Sequence, residues 1–501
     1  MKKKHFVFFV SAALLSILIT SSSALATGFM LGGNELRLLG YVTQNVNYGL
    51  HDNYDTNRGL NNLLTTIFAE AQYVANPVSF YVSGKLNVDW AYQYNHNDDD
   101  WNDKLFSKSK DALNVDDKYW QLLNEAHITY TPGDFRFRLG KQIVVWGQID
   151  AQRLMDQINP VDQRRGFTDV EFETSIIPIW LLDAEYHAPI SLGIVQSPGV
   201  QFVFNPNADF IPDQGINTGN DAGGIWAPNI EVQLPFPPFD ARLGSNPTKL
   251  HEPDRWNKEG FEYALKFDAI IFNSLVTLNG FYGRENSPVE LPAGFPSFTT
   301  ASDGVALMHT PMEGYYARQK FVGFTFGRDI TFFRPSFLGG VAPILNVEAM
   351  YAFDTSFATA DQVNPTIIKT DEIRYALQLD WKVKIPALNR TNYISIEPQF
   401  IQRRLRDYPK AGINTVSENN NMVTFLARTY YFNQKLQPFF LIVRDLTNDA
   451  NFIKCFLQYS PNNTWSYTIG GNFLNGDRKG AGFDVFNNKD HVFFKINYQW
   501  G

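Results

Sequence analysis

A compact group of charged side chains lies between residues 150 and 165. It consists of three aspartates and three arginines: Asp150, Arg153, Asp156, Asp162, Arg164 and Arg165. Arginine binds a carboxylate through two parallel N–H···O bonds, so this composition predicts forked ion pairs. Such pairs would hold an irregular segment in one shape without an apolar core.

The residues around these charges also favour a fixed backbone. Asn159 and Asp162 can hydrogen-bond to their own backbone, and Pro160 fixes φ beside them. Trp146 supplies a large ring at the beginning of the segment. We therefore expect residues 147–178 to form one rigid loop that folds inward and narrows a passage. The alternative is a rigid loop that packs on the rim of the protein.

Patterns that would indicate catalysis or metal binding are absent from the sequence. It contains neither H-E-x-x-H nor G-x-S-x-G. The single cysteine, Cys455, excludes an internal disulfide and any cysteine-based metal site. The acidic stretch at residues 96–103 lacks the glycine and the spacing of a calcium loop, so we interpret it as a solvated loop. We expect no enzyme activity, no metal and no cofactor.

Strict alternation of apolar and polar residues indicates the elements that must position this loop. Residues 373–385 carry Ile, Tyr, Leu, Leu, Trp, Val and Ile at every second position, with mostly polar residues between them. Similar runs cover residues 80–92, 261–268, 345–353, 465–473 and 492–500. Successive side chains of a strand point to opposite faces, so each run has one apolar and one polar face. Their length fits tilted strands that cross a bilayer, which need about 9–11 residues.

The connections between the runs alternate between tight turns and long segments, as in outer-membrane β-barrels. Counting the runs predicts a closed, transmembrane, antiparallel, all-β barrel with about 16–18 strands. The runs at residues 179–187 and 200–204 are the weakest. The longest outer loop, residues 205–258, contains apolar residues that would either line an apolar opening or pack against neighbouring loops.

The alternation also assigns charged side chains of both signs to the inside of the barrel. Opposed charges in a water-filled pore orient polar solutes, although solvated interior residues of no special role fit the same pattern. The residues predicted to line the interior are Lys85, Asp89, Arg136, Arg138, Glu348, Arg374, Asp380, Lys382, Arg403, Arg428 and Arg444.

The N-terminus has the features of a secretory signal peptide. Three lysines, a short apolar stretch and Ala24-Leu25-Ala26 follow the first methionine. We predict a signal peptide at residues 1–26 and a barrel at residues 27–501, in the outer membrane of a Gram-negative bacterium. The formal net charge is −8, and loss of the three lysines would make it −11. So acidic a chain is not expected to bind nucleic acid.

Two short motifs resemble those of a large group of uncharacterised proteobacterial outer-membrane β-barrels. The first, G-x-Q-x-x-x-W-G, is formed by Gly140, Gln142, Trp146 and Gly147. The second, D-x-I-N-P-x-D, follows at Asp156, Ile158, Asn159, Pro160 and Asp162. The resemblance implies an outer-membrane location and a role in moving lipids or other apolar molecules. It carries over neither a substrate nor a catalytic residue.

Three functions therefore follow as hypotheses. The first is a porin-like channel or transporter for small solutes, including hydrophobic ones. The second is the outer-membrane component of an export system for lipids or hydrophobic compounds, working with a periplasmic or inner-membrane partner. The third, an outer-membrane enzyme, is disfavoured by the absent motifs. The expected surroundings are outer-membrane lipid and lipopolysaccharide, with the chain as a monomer or a homotrimer.

Overall fold

The fold is known from a computed structural model of the whole chain. It describes residues 27–500 except for 52–58, 91–121, 150–152, 163–174, 214–229, 235–236, 238–239, 245–247, 301–303, 362–364, 411, 414–415 and 478–481. The predicted signal peptide, the acidic stretch at residues 96–103, and Asp150, Arg164 and Arg165 therefore lie outside the described residues.

Eighteen antiparallel strands form a closed barrel, in which each strand pairs with its neighbours along the chain. The strands are β1 (Asn34–Gly49), β2 (Gly59–Ala75), β3 (Val78–Asp89), β4 (Leu123–Tyr130), β5 (Phe135–Gln142), β6 (Ile179–His187), β7 (Val195–Asn205), β8 (Glu262–Ile271), β9 (Ser274–Arg284), β10 (Arg318–Asp329), β11 (Ile344–Ala358), β12 (Ile367–Val383), β13 (Ile394–Leu405), β14 (Asn419–Arg428), β15 (Leu436–Asp445), β16 (Ala450–Tyr459), β17 (Trp465–Asn475) and β18 (His491–Trp500). The predicted fold class is confirmed, and the weakest runs form β6 and β7.

The two ends of the chain close the barrel. Strand β18 pairs with β1 from Trp500 opposite Gly40 to His491 opposite Gly49. A Cβ at residue 40 would come within 2.1 Å of the Trp500 ring, so glycine is required where the indole crosses β1. The short strand Thr27–Leu31 pairs with the beginning of β1, beyond the end of β18. Closure pairs the first strand of the barrel with the last. At an open edge, the backbone N–H and C=O groups would have no hydrogen-bond partner within lipid.

The outer surface of the barrel is apolar. In β5, Phe135, Phe137 and Leu139 are exposed and alternate with inward-facing arginines, and Leu139 is 63 % exposed. In β17, Ile469 is 61 % exposed. Aromatic pairs such as Trp465 and Tyr467, whose rings are 6.3 Å apart, lie at the end with the tight turns. An apolar belt with aromatic residues at its border is the surface that a bilayer requires.

Connections at the two ends of the barrel differ in length. One end has short turns, such as residues 76–77 and 272–273, and a 3-10 turn at Ser336–Leu338. At the other end, loops 206–261 and 285–317 combine into two small sheets. The first contains Glu231–Gln233, Asp240–Leu243, Ser297–Thr300 and Ala306–His309, and the second contains Thr248–His251, Val289–Pro292 and Met312–Tyr315. Backbone pairing of Ala241 with Ala306 joins the longest loop to its neighbour.

No helix among the described residues is long and apolar enough to cross a bilayer. The second 3-10 helix, Gly482–Phe486, lies in the loop between β17 and β18.

Candidate functional site: the barrel interior

The loop after β5 folds into the barrel, as predicted. Its buried side chains belong to the same apolar cluster as inward-facing residues of the wall from β6 to β13. The loop contributes Val144, Trp146, Ile149, Leu154, Met155 and Ile158, and the wall contributes, among others, Val203, Ala264, Phe281, Phe321, Met350, Ala376 and Ile401. Met155 is fully buried beside Gly323, where a Cβ would come within 2.5 Å of its sulfur. Apolar burial thus holds the loop against half of the inner wall.

Two carboxylates bind unpaired backbone N–H groups of this loop. Asp156 accepts hydrogen bonds from the backbone N–H groups of Trp146 and Gly147, the latter at 2.9 Å. Glu348, an inward residue of β11, accepts from Gln148 and, at 3.1 Å, from Ile149. An irregular loop has no strand ladder to satisfy its backbone N–H groups, so these two carboxylates accept their hydrogen bonds instead.

The side chain of Asn159 ties the loop to both strands that flank it. Its oxygen accepts from the Val144 N–H at 2.9 Å, and its Nδ2 donates to the carbonyls of Gln142 at 3.1 Å and Ile177 at 3.0 Å. Asn159 is fully buried. One amide therefore closes the base of the loop across residues that are 15 to 18 positions apart.

The remaining residues of the first motif position the end of β5. Gly140 has φ of +139°, and a Cβ there would come within 2.2 Å of the Ala126 carbonyl oxygen. The Gln142 amide donates to the Leu181 carbonyl at 3.0 Å. The Trp146 indole donates to Gln201 of β7 at 2.8 Å. The motif residues thus build the inward loop.

The outer loops hold the inward loop from above. The carboxylate of Asp213 accepts from the Val161 N–H at 2.7 Å and from the Ser287 hydroxyl at 2.9 Å. The Asn286 amide donates to the Gln157 carbonyl at 3.1 Å. Burial raises the pKa of Asp213, while these two hydrogen bonds act in the opposite direction. Loops 206–261 and 285–317 thus bind the inward loop through the backbone of Gln157 and Val161.

A second inward segment was not predicted from the sequence. The helix Gly482–Phe486 packs Val485 and Phe486 against Val443 of β15, Phe452 of β16 and Leu474 of β17. The partly buried Met422 of β14 packs against both this cluster and the cluster of the first loop. The apolar residues at 483, 485 and 486 in an outer loop were the available signal.

The opposite part of the inner wall is polar and bears a groove of about 360 Å³. Strands β1–β3 and β16–β18 supply its lining: Tyr41, Thr43, Asn45, Leu64, Thr66, Lys85, Asn87, Gln458, Ser466, Thr468, Lys495, Asn497 and Gln499. None of these lining residues comes from the inward segments. The groove was also not predicted, although alternation assigned one of its residues, Lys85, to the inside.

Charged residues at the outer ends of β12 and β13 form a compact ion cluster. Glu372 is fully buried and pairs with both Arg374 and Arg403, through Nη2–Oε2 distances of 3.0 and 3.2 Å. Glu285, at the beginning of the loop after β9, faces the same cluster, and its Oε1 has no hydrogen-bond partner among the described residues. Burial raises the pKa of Glu285 to about 7, and the Arg374 and Arg403 charges limit the rise.

The strand register places most of the predicted interior residues on the inner face. They are Lys85, Arg136, Arg138, Glu348, Arg374, Asp380, Lys382, Arg403 and Arg428. Asp89 pairs with Leu64 through its backbone, and its side chain lies outside the described residues. The prediction for Arg444 is wrong: it alternates with the inward-facing Val443 and pairs with Asp449 at the outer end of β15.

Of the forked ion pairs predicted within the inward loop, the pairing of Arg153 with Asp156 has both partners described, and there each side chain binds the backbone instead. Asp156 binds backbone N–H groups, and the Arg153 guanidinium donates to the Asn159 carbonyl at 3.1 Å. Asp162 donates its backbone N–H to the Ser175 carbonyl at 2.7 Å. Trp146, Arg153, Asp156, Asn159 and Asp162 thus lie in the inward loop, and their role at a constriction stays a prediction.

Comparison with known proteins gives matches in structure. No family model and no curated protein matches the sequence. OccAB1 of Acinetobacter baumannii has 10 % identity and a TM-score of 0.46, over 96 % of this chain and 99 % of that chain. OccD3 (OpdP) of Pseudomonas aeruginosa has 10 % identity and a TM-score of 0.44, over 95 % and 93 %. A BenF-like porin from Pseudomonas fluorescens has 7 % identity and a TM-score of 0.44, over 94 % and 100 %.

Proposed function

We propose that this chain is a porin-like channel in the outer membrane of a Gram-negative bacterium, through which small polar solutes cross. The observation that carries the proposal is the contrast between the two faces of one closed wall. The outer face is apolar, and the inner face bears a groove of amides, hydroxyls and lysines. A barrel of this strand number is wide enough for an aqueous lumen.

The arrangement of the inward loop supports a narrowed passage. The loop covers the wall from β6 to β13 and leaves the polar groove on the other side uncovered. Solutes would therefore pass along β1–β3 and β16–β18, where water can hydrate the wall. The apolar inner residues are already covered by the loop, so they provide little support for export of hydrophobic compounds.

Planar-bilayer conductance tests the proposal. The purified, folded barrel is expected to give discrete current steps, and deletion of residues 150–166 is expected to enlarge them because it removes part of the inward loop. Val322→Ala, on the lipid-facing surface, is the control and should leave the current unchanged. If both the intact barrel and the deletion variant are folded and carry no current, the channel function is wrong. The oligomeric state, monomer or homotrimer, stays a prediction.

A further inference from the structure

The side chains that line the polar groove are of few kinds, and most of them both donate and accept hydrogen bonds. Its lining contains five side-chain amides and four hydroxyls, together with two lysines, Tyr41 and Leu64. The amides are Asn45, Asn87, Gln458, Asn497 and Gln499, and the hydroxyls are Thr43, Thr66, Ser466 and Thr468. Amides and hydroxyls donate and accept hydrogen bonds, as the hydroxyls of a sugar do. None of these lining residues is acidic.

A buried polar group in the groove wall lacks a partner. Asn45 is only 5 % exposed, and its Oδ1 has no hydrogen-bond partner in the described part of the chain. Asn47, the next inward residue of β1, is fully buried, and neither its Oδ1 nor its Nδ2 has a partner there. A buried polar group without a partner costs about 1–3 kcal/mol. Of the two, Asn45 lines the groove, so its Oδ1 is an acceptor that a bound donor would satisfy.

An aromatic surface lies beside these amides. Tyr41 lines the groove and stacks on Phe68 of β2, with ring centroids 5.1 Å apart. The stacking holds the phenol ring in one orientation. The face of an aromatic ring carries partial negative charge, so it attracts the polarised C–H groups of a sugar ring. The groove thus combines a fixed ring with amides, which suits a solute that has an apolar face and a hydroxyl-bearing rim.

The volume sets the size of the solute. About 360 Å³ lies near the lower end of the roughly 300–1,000 Å³ that is typical of small-molecule sites. A mono- or disaccharide falls in this range. A hydrocarbon chain would leave the amides of Asn45 and its neighbours unpaired, which disfavours an apolar solute.

We propose that the groove formed by β1–β3 and β16–β18 is a binding site for neutral, polyhydroxylated solutes of mono- or disaccharide size. The proposal rests on the channel function and adds the class of solute to it. Solute hydroxyls donate to the Asn45 Oδ1 and exchange hydrogen bonds with the surrounding amides. The sugar ring packs on Tyr41.

Saturation-transfer NMR on the purified barrel tests the site. The barrel is kept in lauryldimethylamine oxide, a detergent without a sugar head group, and maltose and hexanoate serve as probes. We expect transfer to maltose and none to hexanoate. Asn45→Leu should weaken maltose binding about tenfold, since it removes hydrogen bonds worth on the order of 1.4 kcal/mol.

Asn279→Leu is the matched control because it makes the same replacement on the inner wall of β9, which the inward loop covers. It should leave maltose binding unchanged. Gel mobility with and without heating checks that each barrel is folded, and Thr468→Val replaces Asn45→Leu if the latter does not fold. No transfer to maltose, or equal loss in both asparagine variants, would overturn the proposal. If the barrel carries current but does not bind maltose, the channel function stands and the proposed solute class is wrong. If it binds maltose but carries no current, the site stands and the channel function is wrong.

Discussion

The two halves of the inner wall follow the same strand alternation but carry different residues. From β6 to β13 the inward positions include Phe281, Phe321 and Met350, and the inward loop covers them. From β16 through the closure to β3 they include Asn45, Asn497 and Lys495, which line the groove. Whether an inward residue is apolar or polar thus indicates what it contacts. Apolar residues indicate a packed segment of the chain, and polar residues indicate water or solute.

The positions of the apolar inward residues therefore indicate where loops pack against the inner wall. An apolar side chain that points into an aqueous lumen would be unfavourable by itself. Its presence at consecutive strands therefore indicates that part of the chain folds over it. Because the loop docks by burial and by a few buried polar contacts, disrupting either should release it without opening the barrel.

The largest effect is expected from Phe321→Ala. Removal of this buried ring leaves a cavity in the cluster that holds the loop, so the free energy of loop opening should fall by about 3–5 kcal/mol. Hydrogen exchange of the amides in residues 143–149 measures this opening and should accelerate by more than about a hundredfold. Phe324→Ala on the outward face of β10 is the control. Equal exchange in both variants would mean that burial does not hold the loop.

A smaller effect is expected from Asn159→Leu. The variant keeps an apolar side chain of similar size but removes three hydrogen bonds to the backbone. The free energy of loop opening should fall by about 1–3 kcal/mol, read from exchange of the Val144 amide and its neighbours. Asn497→Leu, in the polar half, should leave these amides unaffected. If it accelerated their exchange as much, the two halves would not be independent.

The smallest effect concerns pH and the ion cluster that Glu285 faces. Its pKa is raised to about 7, chiefly by burial, so the packed loop favours the protonated carboxyl. This stabilisation is present below the ordinary pKa of 4.5 and is lost as the pH rises through 7. After correction for intrinsic rates, amides of residues 285–292 should exchange roughly tenfold faster at pH 8 than at pH 6. Glu285→Gln should abolish the difference, and a difference that persists would assign it to another group.

Much of the barrel could be predicted because successive side chains of a strand face opposite sides of the wall, which have different surroundings. In β12, lipid on one side and polar surroundings on the other impose a strict alternation, and the sequence shows it directly. The inward loop could also be predicted, since its composition favours a fixed shape. The predicted partner of Asp156 was wrong. The sequence shows which side chains are present, but it does not show which backbone N–H groups an irregular loop leaves without a partner.

The wrong face for Arg444 has a physical cause in the second inward segment. Residues 439–443 are all apolar, so they contain no alternation from which to count. They are apolar on both faces because lipid covers one side and the helix Gly482–Phe486 covers part of the other. The prediction failed where the chain packs on itself inside the barrel. The same run, interpreted with the apolar residues at 483–486, would have indicated the second segment.

The closure between β1 and β18 has a consequence for biogenesis. Seven of the groove residues lie between positions 41 and 87, and six lie between positions 458 and 499. Neither set forms the groove alone, so a nascent or half-inserted chain lacks the proposed sugar-binding site. Retention on an immobilised sugar would therefore separate fully assembled barrels from unfinished ones.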